Sequence, residues 1–209
     1  MVRLFVFMLP LLPMKSHLIQ KVEEFCTSLL SSSLNKSLHF HNLKHTQVVV
    51  AATITIGRHC ELNAEEQETV SVAAWFHDTG YSTRYKGHKH ESARHAKIFL
   101  SNQDIKAKRI EQVIDCIMAT AIPQKPLTLL EKILCDADFE HLSIAGYEQN
   151  AALLRQEWLE NLNTNYTDLE WENIIHRLMK AYTYWTPYGK TSLQIKKEQN
   201  MLMHKCSTV

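Results

Sequence analysis

The segment FHNLKHTQVVV carries His41 and His45 four residues apart, and AAWFHDTGY carries the adjacent pair His77 and Asp78 at the end of an apolar run. GHKHESARHA adds His88, His90 and Glu91, and KILCDADFEHL places Asp136 and Asp138 directly after another apolar stretch. A separation of four puts His41 and His45 on one face of a helix. Two carboxylates at the end of a buried face are costly unless positive charge compensates them. A divalent cation held jointly by imidazoles and carboxylates would supply that charge.

These residues need elements to bring them together. The chain has 209 residues, of which only five are Gly and five Pro. So few turn formers argue for long helices with short connections. Leu18, Val22, Phe25, Cys26 and Leu29 follow helical spacing, as do Val49, Ala52, Ile56 and Cys60. Asn63 with Glu66 reads as a capping box opening a helix that ends at His77, with Gly80 as a left-handed stop. Further helices are expected over about 91–101, 104–120, 127–142, 146–161 and 167–184, the last opened by a second capping box, Thr167 with Glu170. Pro123 and Pro126 mark a loop, and no segment alternates as a strand does. The expectation is an all-α, compact single-domain helical bundle over 14–209, with its motifs between 40 and 144.

Bulk properties narrow the function classes. Hydrophobic residues make up 45% and charged residues 22%, as in globular proteins. The formal net charge is +1 and no basic block occurs, so no nucleic-acid partner is expected. Five scattered cysteines without a CxxC pair suggest neither a zinc knuckle nor a disulfide framework and fit a reducing, cytoplasmic setting. MVRLFVFMLPLLP, residues 1–13, is too short to span a bilayer and lacks a clear cleavage site, so membrane attachment is not expected. Translation from Met14 is the simpler expectation. Trp158, Trp171 and AYTYWTPY are expected in the core, and His88, His95, His141 and His176 are expected to be ordinary histidines. Oligomeric state is open.

Taken in order, HNLKHTQVV, WFHDTGY, HKHESA and ILCDAD resemble the HD superfamily of metal-dependent phosphohydrolases over about half of the chain. The resemblance implies an all-α HD-type fold and makes His45, His77, Asp78 and Asp138 the metal ligands. Ala137-Asp138 matches the Ala-Asp common at the last ligand, so Asp138 is preferred to Asp136, which would then orient a ligand. Members that hold two metals use further histidines. His90 fits the first such position, but Ala119 and Thr120 stand near the second. One tightly bound divalent ion (Mn, Fe, Mg, Zn, Ni or Co) is therefore expected.

The implied reaction is hydrolysis of a phosphate ester of a small molecule, a nucleotide among the candidates, by metal-activated water. Asp78 would orient the water and His90 or Glu91 would move protons. Arg84, Lys86 and Lys89, in the loop after the doublet, would stabilise charge on the phosphoryl oxygens. A different class of function keeps the same ligands: a non-catalytic helical module with a structural or sensing metal site.

Overall fold

The computed structural model describes residues 16–31 and 36–207, with side chains described as far as 203. The apolar run of residues 1–13 and Met14 lie outside the described residues. Nine α-helices and no strand occur among those described: α1 (His17–Leu30), α2 (Leu43–His59), α3 (Ala64–Phe76), α4 (His88–Ser101), α5 (Ala107–Ala119), α6 (Leu129–Asp138), α7 (Tyr147–Leu162), α8 (Asp168–Ala181) and α9 (Gln194–Ser207). None is long and apolar enough to cross a membrane.

The bundle is organised around α3. Its capping box is formed in full, Asn63 accepting from Glu66 N and Glu66 accepting from Asn63 N. From Thr69 to Phe76 every residue is buried. A helix that is buried all round belongs at the centre, and α3 packs against α1, α2, α4, α5 and α6. Phe76 contacts the rings of Phe25 on α1 and Phe99 on α4. Val49, Ala52 and Ile56 give α2 its inner face, and Ile110, Val113 and Ile117 do the same for α5.

Gly80 departs from its expected role. The helix ends at Phe76, and Gly80 lies in a 3-10 turn, Thr79–Ser82. The left-handed glycines are Gly87 and Gly146. Gly80 is needed for space instead: a Cβ there would stand 1.9 Å from the His88 carbonyl oxygen and 2.8 Å from Ser92 N. Its own N–H donates to Ser92 Oγ. The doublet is thereby pressed against the start of α4, which begins at His88, a turn earlier than periodicity indicates.

The C-terminal third also differs. The helix expected to run to residue 184 stops at Ala181, and α9 follows, where no helix was expected. Pro187 and Gly189 interrupt the pattern, and α9 is rich in Lys, Glu and Gln, so its inner face is thin in apolar residues. Polar contacts hold it instead. Lys197 donates to the Tyr182 carbonyl, and Asn200 donates to the carbonyls of Leu142 and Ile144 at 2.9 Å each.

Candidate metal centre

The end of α3 delivers the doublet to a point where three other elements converge. Asn42 caps α2 by accepting from Lys44 N and His45 N, which sets His45 in the first turn. Asp138 is the last residue of α6. One ligand atom each from His45, His77, Asp78 and Asp138 lies within 4.8 Å of all the others. His77 Nε2 stands 3.1 Å from Asp78 Oδ2 and 3.6 Å from Asp138 Oδ1, and His45 Nε2 stands 3.4 Å from each of the same oxygens.

The donor set fits a divalent ion. His45 Nε2, His77 Nε2 and Asp78 Oδ2 are buried atoms without a hydrogen-bond partner. Buried polar atoms are rarely left so, and three aimed at one point indicate that something else satisfies them. His77 Nδ1 lies 2.7 Å from the Ala74 carbonyl. A carbonyl accepts only, so Nδ1 carries a proton and Nε2 is the nitrogen that faces the carboxylates and is left for an ion, as in metal-binding histidines.

Electrostatics agree. Burial opposes each charge, yet the carboxylates of Asp78 and Asp138 outweigh it and raise both imidazoles, His77 to about 9. Against the same burial, His77, His45 and Lys89 hold Asp78 and Asp138 well below the usual carboxylate range. Without an ion, protons on the imidazoles balance the acids; a dication would displace those protons.

Lys89 is nearly buried and donates to Asp78 Oδ1 at 2.7 Å, so it belongs to the site and not to a solvated loop. His88, expected to face solvent, reaches within 3.6 Å of the same oxygen, and its Nδ1 lies 3.0 Å from the Tyr85 carbonyl. Burial pushes the His88 imidazole down to about 4, so it is neutral near pH 7. His90 is exposed and lines the cleft beside the cluster. The structure does not bring Glu91, Arg84 or Lys86 to the four ligands. Glu91 is held by Arg84 at 2.9 Å and Arg94 at 2.7 Å, the Arg84 side chain is 58% exposed, and Lys86 is exposed. Helical geometry explains the exchange. Because α4 starts at His88, His88 and Lys89 turn inward toward Asp78, whereas Glu91 is turned toward the two arginines.

Asp136 and Asp138 face different ways. Asp136 is fully buried and accepts from Trp185 N, Thr186 N and Thr186 Oγ at 2.7, 2.9 and 2.7 Å. It fastens the segment before α9, outside the cluster. The tyrosines of that segment act alike, Tyr182 OH donating to the Cys135 carbonyl and Tyr184 OH to that of Phe139.

Sequence reasoning missed Glu157, which nothing near it in the chain singles out. Wholly buried on α7, it accepts from Phe40 N at 2.8 Å, His41 N at 2.9 Å and Tyr85 OH at 2.9 Å, and meets His41 Nδ1. It anchors one end of a ring stack: His41 lies on Tyr81 at 4.5 Å between centroids, and Tyr81 lies on His88 at 3.7 Å. The stack forms one wall of a cleft of about 550 Å³ that reaches Lys89 and Asp138. His141 borders the same space, its Nδ1 3.0 Å from the Asp138 carbonyl and its imidazole pushed by burial to about 4.

No family model and no curated protein matches the chain. Among solved structures, it is similar to a predicted HD superfamily hydrolase from an uncultured Thermotogales bacterium, with a TM-score of 0.62 and 14% identity over 90% of each chain. It is similar to YpgQ of Bacillus subtilis, solved in complex with ADP, with a TM-score of 0.65 and 17% identity over 91% of this chain and 92% of that one. A structural-genomics target from Lactobacillus plantarum gives a TM-score of 0.63 and 13% identity over 92% and 97%.

Proposed function

We propose that this chain, which has the HD-domain fold, is a metal-dependent phosphohydrolase acting on a phosphate ester of a small molecule. The observation that carries the proposal is the convergence of three buried, unpartnered atoms, His45 Nε2, His77 Nε2 and Asp78 Oδ2, with the Asp138 carboxylate. These four residues would hold the ion. When bound, a divalent ion supplies an acidified water and draws charge from a phosphoryl oxygen.

The chain's own groups account for the rest. Lys89 Nζ, fixed on Asp78 Oδ1 and lining the cleft, is the cation that meets a phosphoryl oxygen as negative charge grows on it. Asp78 divides its two oxygens between Lys89 and the cluster, so its carboxylate orientation is set before substrate arrives. We assign proton transfer to His88 in preference to His90 or Glu91. Its Nε2 lies 3.6 Å from Asp78 Oδ1 and its ring lines the cleft, whereas the Glu91 carboxylate is taken up by two arginines. The stack His41–Tyr81–His88 keeps bulk water from one side of the cleft.

The test is metal analysis combined with a substrate screen in Mn, Mg, Fe, Zn, Ni and Co. Nucleoside monophosphates, cyclic nucleotides and aryl phosphates form its arms; the ADP in the Bacillus neighbour makes nucleotides one arm of interest. Turnover that disappears on chelation and returns with metal supports the proposal. Stoichiometric metal with no turnover on any arm replaces it with a structural or sensing metal site.

A further inference from the structure

The cleft that reaches the cluster has two chemically different ends. His88, Lys89 and Asp138 make one end charged and polar. The other is built by α7 and α8, which contribute Leu154, Trp158, Leu162, Ile174 and Leu178. The aliphatic side chains among these carry no hydrogen-bonding group, and Trp158 is set edge to face on Trp171 at 5.5 Å. Two polar side chains that α7 brings nearby are already engaged. Glu157 is bound to Phe40, His41 and Tyr85, and the Asn161 amide donates to the carbonyls of Ser37 and Glu157. Thr120, a buried residue of the cleft lining, donates its hydroxyl to the Ile117 carbonyl. Ile122, also in the lining, is 72% exposed.

Apart from the Trp158 indole N–H, the side chains named here offer a ribose or a nucleobase no hydrogen-bond partner, so most of its hydroxyls and ring edges would be left unpaired, which apolar surroundings penalise. A hydrocarbon would lose nothing and would displace water from Leu154, Trp158 and Leu178. We infer that the substrate is a phosphate monoester of an apolar alcohol, alkyl or aryl, with its phosphate beside His88 and Lys89 and its hydrocarbon against α7 and α8. The inference rests on the phosphohydrolase proposal and adds the leaving group. In the reaction, water oxygen forms a bond to phosphorus as the bond to the alcohol oxygen breaks. One proton from that water leaves with the alcohol, and inorganic phosphate is the second product.

The experiment is a series of straight-chain alkyl phosphates from ethyl to pentyl, with phenyl phosphate and adenosine monophosphate alongside, on the metal-loaded full chain. Each methylene placed in the apolar end adds roughly fourfold to kcat/KM, so pentyl exceeds ethyl on the order of 60-fold. Phenyl phosphate separates an aryl from an alkyl preference. Calorimetric binding of ethyl- and pentylphosphonate gives a readout independent of turnover: affinity rises with chain length, with an increasingly negative heat-capacity change. Leu154→Asn and Leu178→Asn, each checked for folding by circular dichroism, flatten the chain-length slope. Hydrolysis indifferent to chain length, or a tenfold preference for adenosine monophosphate over pentyl phosphate, overturns the inference and leaves the hydrolase standing. Absent turnover with phosphonate affinity still climbing overturns the hydrolase and keeps the apolar end.

Discussion

Asp136 and Asp138 lie two residues apart on α6 and are assigned opposite duties, so replacing each in turn is an exacting test of the site. Asp136→Ala removes the acceptor of three hydrogen bonds and strands the buried N–H groups of Trp185 and Thr186. At about 1 kcal/mol net per bond, plus the desolvation of stranded donors, the loss is roughly 3–5 kcal/mol. For a chain of this size each kcal/mol moves the transition by about 2–4 °C, so Tm should fall by on the order of 10 °C. Gly189 packs on the same carboxylate, and any slackening there spreads to α9. Metal content, measured on protein purified at low temperature, should stay near that of the parent. Asp138→Ala should do the reverse. Its carboxylate is bonded to no backbone group, and without it the two imidazoles can shed their protons instead of remaining charged and unpaired. Its metal-free Tm should move by only a few degrees while metal binding and turnover are lost. Differential scanning fluorimetry and elemental analysis on the two variants decide the matter. Metal loss in Asp136→Ala with an unchanged Tm, or a stable metal-binding Asp138→Ala, would refute the assignment.

Four further outcomes follow from the same geometry. His77→Ala and Asp78→Ala should each abolish bound metal and hydrolysis while circular dichroism stays close to the parent; turnover in either variant contradicts the site. In metal-free protein the raised His77 imidazole contributes stability that is complete below its unfolded pKa of 6.5 and is lost as pH rises through about 9. Metal-free Tm should therefore decline between pH 6.5 and 9, and saturating Mn should reverse that slope because the ion binds the deprotonated ring; a flat metal-free profile argues against the His77–Asp78 coupling. Glu157→Gln turns an amide donor toward N–H groups that now meet a carboxylate, and should cost about 2–3 kcal/mol and raise KM more than it lowers kcat; a silent substitution denies Glu157 its anchoring role. Gly80→Ala drives a methyl into the His88 backbone and should lower both Tm and metal affinity, and wild-type metal binding in that variant would mean that the contact between the doublet and α4 does not matter.

What could be read in advance follows from how far each contact reaches along the chain. The caps at Asn63 and Thr167 are local, three residues from donor to acceptor, and periodicity over α2, α3 and α5 needs no partner to be visible. The all-α class follows from such signals. The motifs around His45, His77, Asp78 and Asp138 were likewise legible as short stretches. The groups around them were not, for two different reasons. His88 and Lys89 were hidden by a question of phase: a helix starting at His88 turns a different pair inward from one starting at Glu91, and Gly87, the left-handed residue that sets this start, gives only a weak sign of it. Glu157 was hidden by distance, more than a hundred residues from Phe40 and His41, and Asp136 meets Thr186 across fifty. Such contacts depend on how α6, α7 and the segment before α9 stack, which no local pattern encodes. The cleft has the same origin. Its charged end is assembled from motifs, but its apolar end comes from α7 and α8, so the ligand cluster was readable before the structure and the lining of the cleft only after it.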